Sequence, residues 1–287
     1  MNQRKVTAIV TSYKRDWFFV DRALRSIEAQ TVPALEILLV DDNDPASRES
    51  QELKQKVGET HPAVRYLSQG KNMRVARARN FGVENARGDW VAFLDDDDEW
   101  LPEKLEKQLA LIEQHPDAGL VFGMGKIFSE DNVTHDYTWQ HEVFKEHPTY
   151  VDMLANDHVG STSHPLIRRD VFLKLGGFRP SLPAVEDYDL WIRVSREYPV
   201  WGTEDVLYLK YMPAGEHVSG NPKKLFQSYA AIRANYLDDY RKNPKAHTNI
   251  LYNIMRQGVF CKTPRVIPVG FQWLYHKIRY GGYTFTK

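Results

Sequence analysis

At residues 90–100 the sequence reads WVAFLDDDDEW, a short apolar run that ends in five consecutive acidic side chains. A short apolar run bounded by polar residues is typical of a buried β-strand, and a helical pattern follows near residues 102–115. Comparable runs, each followed by a helical pattern, occur upstream at residues 6–13, 35–40 and 63–67. Because strands alternate with helices, the sequence predicts an α/β fold with a mostly parallel central sheet flanked by helices.

The first helical pattern shows how these helices would pack on the sheet. Trp17, Val20, Leu24 and Ile27 recur at spacings of three and four residues, so they share one face of a helix. That apolar face is expected to lie on the sheet. The elements predicted further along are helices near residues 47–57, 72–86, 102–115, 170–175 and 186–198 and strands near 119–128 and 162–168.

The composition narrows the class of protein. Lys plus Arg equals Asp plus Glu at 38 each, which argues against a nucleic-acid-binding protein that works by bulk positive charge. The single cysteine, Cys261, excludes an internal disulfide and favours a reducing compartment. The apolar run at residues 6–10 is too short for a signal peptide or a membrane span. We therefore expect a cytoplasmic protein.

The C-terminal segment has a charge of its own. No acidic residue follows Asp239, whereas nine basic residues do. Phe271, Leu274, Tyr275 and Ile278 recur there at helical spacing, a composition typical of a helix that lies on an anionic membrane surface. Two alternatives remain open, namely packing of these side chains on the rest of the protein and a subunit contact. The nine basic residues are Arg241, Lys242, Lys245, Arg256, Lys262, Arg265, Lys277, Arg279 and Lys287.

Acidic side chains follow two of the predicted strands, where ligands bind in an open α/β sheet. The four aspartates Asp95–Asp98 would repel one another and lose hydration at the end of a buried strand unless a cation were present. Mg²⁺ or Mn²⁺ with one or two carboxylates and the phosphates of a substrate suits this site better than an acidic turn or helix cap. Asp41 and Asp42 would bind a ribose or a base, or would form a turn.

The helix predicted near residue 186 supplies a candidate general base. Asp187, Leu190, Trp191 and Val194 share one face of it, whereas Glu186 lies on another. A carboxylate held against apolar side chains should have a raised pKa, which suits a base that takes a proton from an alcohol. The alternative for Asp187 is an acidic residue that stabilises the helix N-terminus.

Several of these segments, in this order, resemble the motifs of the family-2 inverting glycosyltransferases of the GT-A fold. The resemblance covers about residues 5–212 and rests on the order of the motifs more than on any single one. The matching segments are residues 6–15, 26–31, 36–42, 78–80, 93–100, 176–178 and 186–191.

The resemblance implies an inverting, metal-dependent transfer of a sugar from a nucleotide sugar, expected to be a UDP-sugar, to an acceptor hydroxyl. Such enzymes assemble bacterial polysaccharides or glycolipids, so a saccharide or lipid-linked saccharide acceptor is expected. Together with the change of element pattern after residue 117 and the basic composition of the C-terminal segment, it predicts three regions: residues 1–117 for the nucleotide sugar, residues 118–215 for the acceptor and the base, and residues 216–287 as a helical, basic and aromatic extension. Such a protein would be cytoplasmic or peripheral on the inner face of the membrane.

By position, the resemblance also assigns individual residues. Tyr13 could instead be a packed aromatic and His217 a surface residue. At Asn72-Met73-Arg74 the chain departs from the Asn-x-Gly that is usual in the family, which puts that loop in question. The implied roles are nucleotide binding for Thr11, Tyr13, Asp42 and Asp96, metal binding for Asp97, Asp95 and His217, catalysis by Asp187 as the base, and acceptor binding for Glu186, Trp191, Ser163 and His164.

Three other functions compete with this interpretation. A sugar-phosphate nucleotidyltransferase usually has a glycine-rich loop after the first strand, and residues 11–15 contain no glycine. A glycosidase needs two carboxylates that flank the scissile bond and no metal, which the four aspartates do not suit. A catalytically silent carbohydrate or nucleotide-sugar binding module would not need both Asp97 and Asp187.

Overall fold

The computed structural model describes residues 5–129, 144–212 and 220–282. Their strands form one eight-stranded sheet in the order β3-β2-β1-β4-β7-β6-β8-β5. The expected α/β architecture is confirmed, with helices packed on a central sheet. The strands are β1 (Val6–Ser12), β2 (Glu36–Asp41), β3 (Val64–Ser68), β4 (Trp90–Asp95), β5 (Glu99–Trp100), β6 (Leu120–Ser129), β7 (Leu166–Arg168) and β8 (Val200–Met212).

The first four strands of the sheet order run parallel, and their register aligns the strand ends. Ser12 of β1 pairs with Asp41 of β2, and Thr11 of β1 pairs with Asp95 of β4. Polar residues that lie 29 and 84 positions apart in the sequence therefore meet at one edge. Alternate residues of each strand point to opposite faces, so Val10 and Ile9 enter two different clusters of the core.

The second half of the sheet is mixed. β7 pairs antiparallel with both β4 and β6, β6 pairs parallel with β8, and β5 pairs antiparallel with β8. The strand predicted near residues 162–168 is only three residues long. Residues 162–164 instead form a loop whose side chains and carbonyls are engaged by neighbouring elements. β8 and the short β5 were not predicted.

The helices of the first half lie where the apolar patterns predict them. Val20, Leu24 and Ile27 of the first helix are fully buried against the sheet, and the side chain of Asp16 caps its N-terminus at the amide of Phe18. The helices before the C-terminal region are α1 (Trp17–Glu28), α2 (Arg48–Thr60), α3 (Val75–Asn85), α4 (Lys104–Gln114), α5 (Tyr150–Ala155), α6 (Arg169–Lys174) and α7 (Glu186–Glu197).

The C-terminal region is helical, as predicted, with α8 (Pro222–Asn235), α9 (Leu237–Lys242), α10 (Pro244–Phe260) and α11 (Val266–Tyr280). Ile250 of α10 belongs to the same core cluster as Ile9 and Phe122, so all three predicted regions share one core. The functional assignment of the three regions stays a prediction. Within the described ranges, no helix combines the length and the apolar character needed to cross a bilayer.

Candidate active site

A cavity of about 670 Å³ opens at the carboxyl ends of β1, β2 and β4. The start of α3, the start of α7 and residues of β8 and α8 complete its wall. Its charged lining is mixed, which suits a ligand that carries both phosphates and a metal ion. The acidic lining residues are Asp42, Asp95, Asp96, Asp97 and Glu186, and the basic ones are Arg15, Arg74, Arg79, Lys210 and Lys224.

The acidic strand end is compensated by cations of the protein itself. The Arg15 Nε lies 2.9 Å from Asp96 Oδ1, and its Nη2 lies 2.8 Å from Asp97 Oδ2. Lys210 Nζ lies 3.9 Å from Asp98 Oδ2. The sequence argument that these carboxylates need a bound metal ion to relieve their repulsion is therefore incomplete, because basic side chains from two distant segments already do so.

Arg79 joins the strand end to α7. Its Nη2 lies 2.5 Å from Asp95 Oδ1, and its Nη1 lies 3.0 Å from Glu186 Oε1. Burial by itself would raise the pKa of Asp95, but the charges of Arg79 and Lys210 outweigh it, and the pKa is lowered. Asp95 is thus held ionised at the cavity wall.

At Asp96 and Asp98 the pKa shifts in the other direction. Burial raises the pKa of each carboxyl by more than the nearby cation lowers it. Burial raises the pKa of Asp96 to about 6, although the charge of Arg15 opposes it. Burial raises the pKa of Asp98 to about 7, against the charge of Lys210 and the hydrogen bond that Ser163 donates to it over 2.8 Å. Asp98 is fully buried, and its hydrogen bond from Ser163 joins the turn after β4 to the loop before β7.

Asp97 is the member of the cluster best placed to bind a metal ion. Its side chain is 31% exposed and lines the cavity, whereas Asp95 Oδ1 is already bound by Arg79 and Thr162. Among the described residues, no three His, Cys, Asp or Glu side chains form a complete metal site. One or two carboxylates plus substrate phosphates are the usual set for Mg²⁺, so the arrangement fits such an ion. His217 lies outside the described residues.

The ends of β1 and β2 form the other end of the cavity. Thr11 and Tyr13 lie on its wall, and Tyr13 is 47% exposed, so Tyr13 does not belong to the core. Asp42 Oδ1 accepts a hydrogen bond of 2.7 Å from the amide of Met73, and burial raises the pKa of this carboxyl. Asp41 is fully buried and accepts from Ser50, Tyr66 and Asn43, so it is a structural residue.

The start of α7 contributes two adjacent carboxylates with different surroundings. Val185, a β-branched residue, precedes them in the left-handed conformation with φ +50°, a strained geometry that turns Glu186 into the cavity. Asp187 is half-buried and follows Glu186, which is a residue of the cavity wall. Burial, together with the charges of Glu186 and Asp157, raises its pKa well above the ordinary value, in the direction expected of a base.

Three residues predicted to bind the acceptor have no surface available for it. Trp191 and Ser163 are fully buried and His164 is 3% exposed. Trp191 Nε1 donates to the carbonyl of Gly160 over 2.9 Å, and the hydroxyl of Ser163 contacts both Asp98 and the amide of Asp95. The prediction that these three side chains contact the acceptor directly is therefore wrong. Their polar groups bond to other residues of the protein and support the cavity wall from within. Glu186 alone of the four reaches the cavity wall.

Sequence reasoning missed the cations of the site. Arg15 and Arg79 lie within the motifs that carry the family resemblance, so their positions were available but their partners were not. Lys210 lies on β8, which was not predicted. Lys210 stands two residues after the buried Tyr208, on the same side of β8, and this period of two would have been the signal once that strand was recognised.

A sheet of this order with an acidic strand end at a nucleotide-sized cavity defines the class of GT-A glycosyltransferases. The chain matches the family model described as Glycosyl transferase family 2 over residues 7–176, which is more than half of it. The protein therefore belongs to glycosyl transferase family 2.

Relatives of similar length support this assignment. An uncharacterized glycosyltransferase of Haemophilus influenzae is 30% identical over 237 residues, covering 81% of this chain and 77% of the relative. The putative colanic acid biosynthesis glycosyl transferase WcaA of Escherichia coli is 25% identical over 254 residues, covering 84% and 85% of the two chains.

Solved structures confirm the fold. Staphylococcus aureus TarS 1-349 in complex with UDP-GlcNAc is similar with a TM-score of 0.70 and 18% identity, covering 95% of this chain and 79% of that one. The mannosyltransferase PcManGT of Pyrobaculum calidifontis, in complex with GDP-Man and Mn²⁺, gives a TM-score of 0.63 at 17% identity, with coverages of 97% and 81%. At these identities the likeness concerns the fold.

Proposed function

We propose that this glycosyltransferase moves a sugar from a nucleotide sugar, expected to be a UDP-sugar, to an acceptor hydroxyl with inversion at the anomeric carbon. The observation that carries the proposal is a partly exposed Asp97 set among basic side chains at the end of β4, with a half-buried carboxylate of raised pKa on α7 nearby. The first group suits a diphosphate with its metal ion, and the second suits a base.

The donor would bind along the strand ends. Thr11, Tyr13 and Asp42 would hold the nucleoside, and Asp96 would lie near the ribose or the sugar. Asp97, assisted by Asp95, would hold Mn²⁺ or Mg²⁺, whose charge stabilises the diphosphate leaving group. PcManGT with Mn²⁺ and TarS with UDP-GlcNAc support this proposal by analogy.

The chain's own residues would carry out the rest of the reaction. Arg15 and Lys210 add positive charge where the diphosphate develops negative charge. Asp187 would accept the proton of the acceptor hydroxyl while the oxygen attacks the anomeric carbon from the face opposite the leaving group. Glu186, fixed by Arg79, would orient the acceptor.

A saccharide acceptor in bacterial polysaccharide or glycolipid assembly is the class that the relatives favour, since WcaA is named for colanic acid biosynthesis. The test is release of free UDP, or of another nucleoside diphosphate, from a panel of nucleotide sugars with a lipopolysaccharide or capsule fragment as acceptor. Release that depends on acceptor supports the proposal. A protein that binds nucleotide sugar without release would be a silent binding module.

The outer face of α11 favours a second proposal, peripheral binding to an anionic membrane. Trp273 and His276 of α11 pack on Tyr252 and His247 of α10. At about 100° per residue, a second set of apolar side chains lies on roughly the opposite side of the helix. All five are exposed, Phe271 by 72% and Ile278 by 78%, and the set is Ile267, Phe271, Leu274, Tyr275 and Ile278.

Charge supports a lipid surface as the occupant of this face. Lys277 and Arg279 flank it on its two sides, and the chain has no acidic residue after Asp239. Each basic residue near an anionic bilayer contributes about 1 kcal/mol, which gives weak and reversible binding. A lipid-linked acceptor would then be presented at the membrane where the enzyme binds.

Co-sedimentation with phosphatidylglycerol vesicles tests the second proposal. The double variant Phe271→Ser, Ile278→Ser should sediment several-fold less than the parent protein. Leu173→Ser, which removes an exposed apolar side chain from α6, is the matched control and should sediment like the parent. Equal sedimentation of all three proteins contradicts the proposal. A lower oligomeric mass of the double variant would indicate a subunit contact instead.

A further inference from the structure

Arg74 holds a backbone conformation that belongs to glycine. At the N-terminal end of α3 its φ is +70° and its ψ is 156°. Residues with a Cβ atom adopt this region only at a cost in free energy, and glycine adopts it readily. This is also the position at which the sequence departs from the Asn-x-Gly of the family. The loop has therefore kept the backbone geometry of a glycine while carrying a long basic side chain.

No contact of the Arg74 side chain within the described ranges offsets this strain. The Arg74 side chain is exposed, and no hydrogen bond or ion pair joins its guanidinium to another residue of the described ranges. The contacts of the loop are made by its backbone. The amide of Arg74 donates to Asn72 Oδ1 over 3.1 Å, and the amide of Met73 donates to Asp42 Oδ1 over 2.7 Å. A glycine would keep both bonds, so any advantage of arginine must come from its side chain.

The side chain lies at the nucleoside end of the cavity. Arg74 lines the cavity next to Asn72, and the loop is tied to Asp42 at the end of β2. The diphosphate end has its own cations, because Arg15 and Arg79 contact the carboxylates of β4 and of the turn after it. A planar guanidinium can donate two parallel hydrogen bonds to carbonyl oxygens or stack on a ring. Uracil offers two carbonyl oxygens and a ring to such a side chain, whereas guanine offers its acceptors O6 and N7 in a different arrangement.

We propose that Arg74 is a specificity-determining residue that contacts the base of the nucleotide donor. The strain at this position is then offset only when the donor is bound. The inference rests on the proposed nucleotide-sugar donor and goes beyond it, since it names a contact that glycine at this position could not make. It predicts that the preference for one base over another depends on this side chain.

Two substitutions separate the side chain from the backbone. Arg74→Gly and Arg74→Ala both remove the guanidinium, but only glycine relieves the strain. We expect both variants to bind UDP in the presence of Mn²⁺ roughly ten-fold more weakly than the parent, by isothermal titration calorimetry. Arg74→Gly should nevertheless melt about 2–4 °C above Arg74→Ala. Arg77→Ala, which removes an exposed arginine from the same helix outside the cavity wall, should bind UDP like the parent.

The same titrations with GDP identify the contacted part of the nucleotide. A contact to the base predicts that the ratio of UDP to GDP affinity changes in both variants, whereas a contact to the diphosphate would weaken both nucleotides by one factor and overturn the proposal. It is also overturned if Arg74→Gly binds UDP like the parent while Arg74→Ala does not, because the backbone would then be responsible. Failure of the parent to bind any nucleotide would contradict the proposed function instead.

Discussion

The acidic groups on the two sides of the cavity differ in how their charge is compensated. At the end of β4, Arg15 contacts Asp96 and Asp97, and Arg79 contacts Asp95. Beside α7, no Lys or Arg of the described residues forms an ion pair with Asp187 or Asp157. Burial raises the pKa of both, that of Asp157 to about 6.

This difference separates two kinds of chemistry. Burial raises the pKa of Asp187 and Asp157, whereas at Asp95 the charges of Arg79 and Lys210 outweigh burial and lower the pKa. Carboxylates that must stay ionised beside a metal ion and phosphates are provided with cations. A carboxylate that must take up a proton is not. The following substitutions test whether the two sides are in fact independent.

Removing the basicity of Asp187 should have the largest effect. Asp187→Asn keeps the shape of the side chain but cannot accept a proton, so turnover should fall by roughly two or more orders of magnitude. Binding of UDP with Mn²⁺ should not change, because the donor side is untouched. Turnover is measured as acceptor-dependent release of UDP. An active Asp187→Asn protein together with an inactive Glu186→Gln protein would assign the base to Glu186.

The reciprocal substitution on the donor side is Asp97→Ala. We expect the affinity for UDP in the presence of Mn²⁺ to fall by at least roughly ten- to hundred-fold. Losing a residue that only supports a metal ligand already has an effect of that size, and Asp97 would be a ligand itself. The affinity in excess chelator should not change. Asp117→Ala, an exposed aspartate in the turn before β6, is the control. Equal UDP affinity of the parent in chelator and in Mn²⁺ would exclude a metal ion at this site.

Arg15 allows a smaller and more specific test, because it should affect two ligands in opposite directions. Arg15→Gln removes the cation that contacts Asp97, so Mn²⁺ alone should bind more tightly. UDP with Mn²⁺ should bind roughly ten-fold more weakly, because the diphosphate loses a charged partner. Arg25→Gln, an exposed arginine of α1, is the control. A parallel change in both affinities would show that Arg15 only maintains the local structure.

The sequence predicted the strand ends better than the contacts between them. Asp42 and Asp95 could be placed at one edge because parallel strands end together. The pairing of Arg79 with Glu186 spans 107 positions, and no local periodicity predicts a contact at that distance. The mixed half of the sheet was missed for the same reason, since β7 acquires its partners only through tertiary packing.

The helical phase of α7 was informative but too simple. It predicted that Asp187 would be inward and would have a raised pKa, which the structure supports in direction. It also implied that Glu186 lies on a different face, but α7 is buried nearly all round, so both carboxylates are drawn into the protein. For Trp191 the phase predicted an apolar, inward face, which fits the buried residue, whereas the acceptor contact implied by the family resemblance is not found. A buried helix makes periodicity a poor guide to which side chains reach a cavity.

The smallest effect should be on stability, and its sign depends on pH. The folded protein raises the pKa of Asp187 above its unfolded value of about 3.9, so it binds this proton more tightly than the unfolded chain does. The stability of the parent therefore falls as the pH rises above about 4, until it passes the folded pKa. Asparagine resembles the protonated acid at every pH. Asp187→Asn should thus melt like the parent near pH 4 and a few degrees higher at pH 8.

Glu186→Gln should instead melt below the parent at neutral pH, because it leaves the buried Arg79 with one fewer anionic partner. A melting difference between Asp187→Asn and the parent that does not change with pH would show that the fold does not raise the pKa of Asp187, and the contrast between the two sides of the cavity would then be lost.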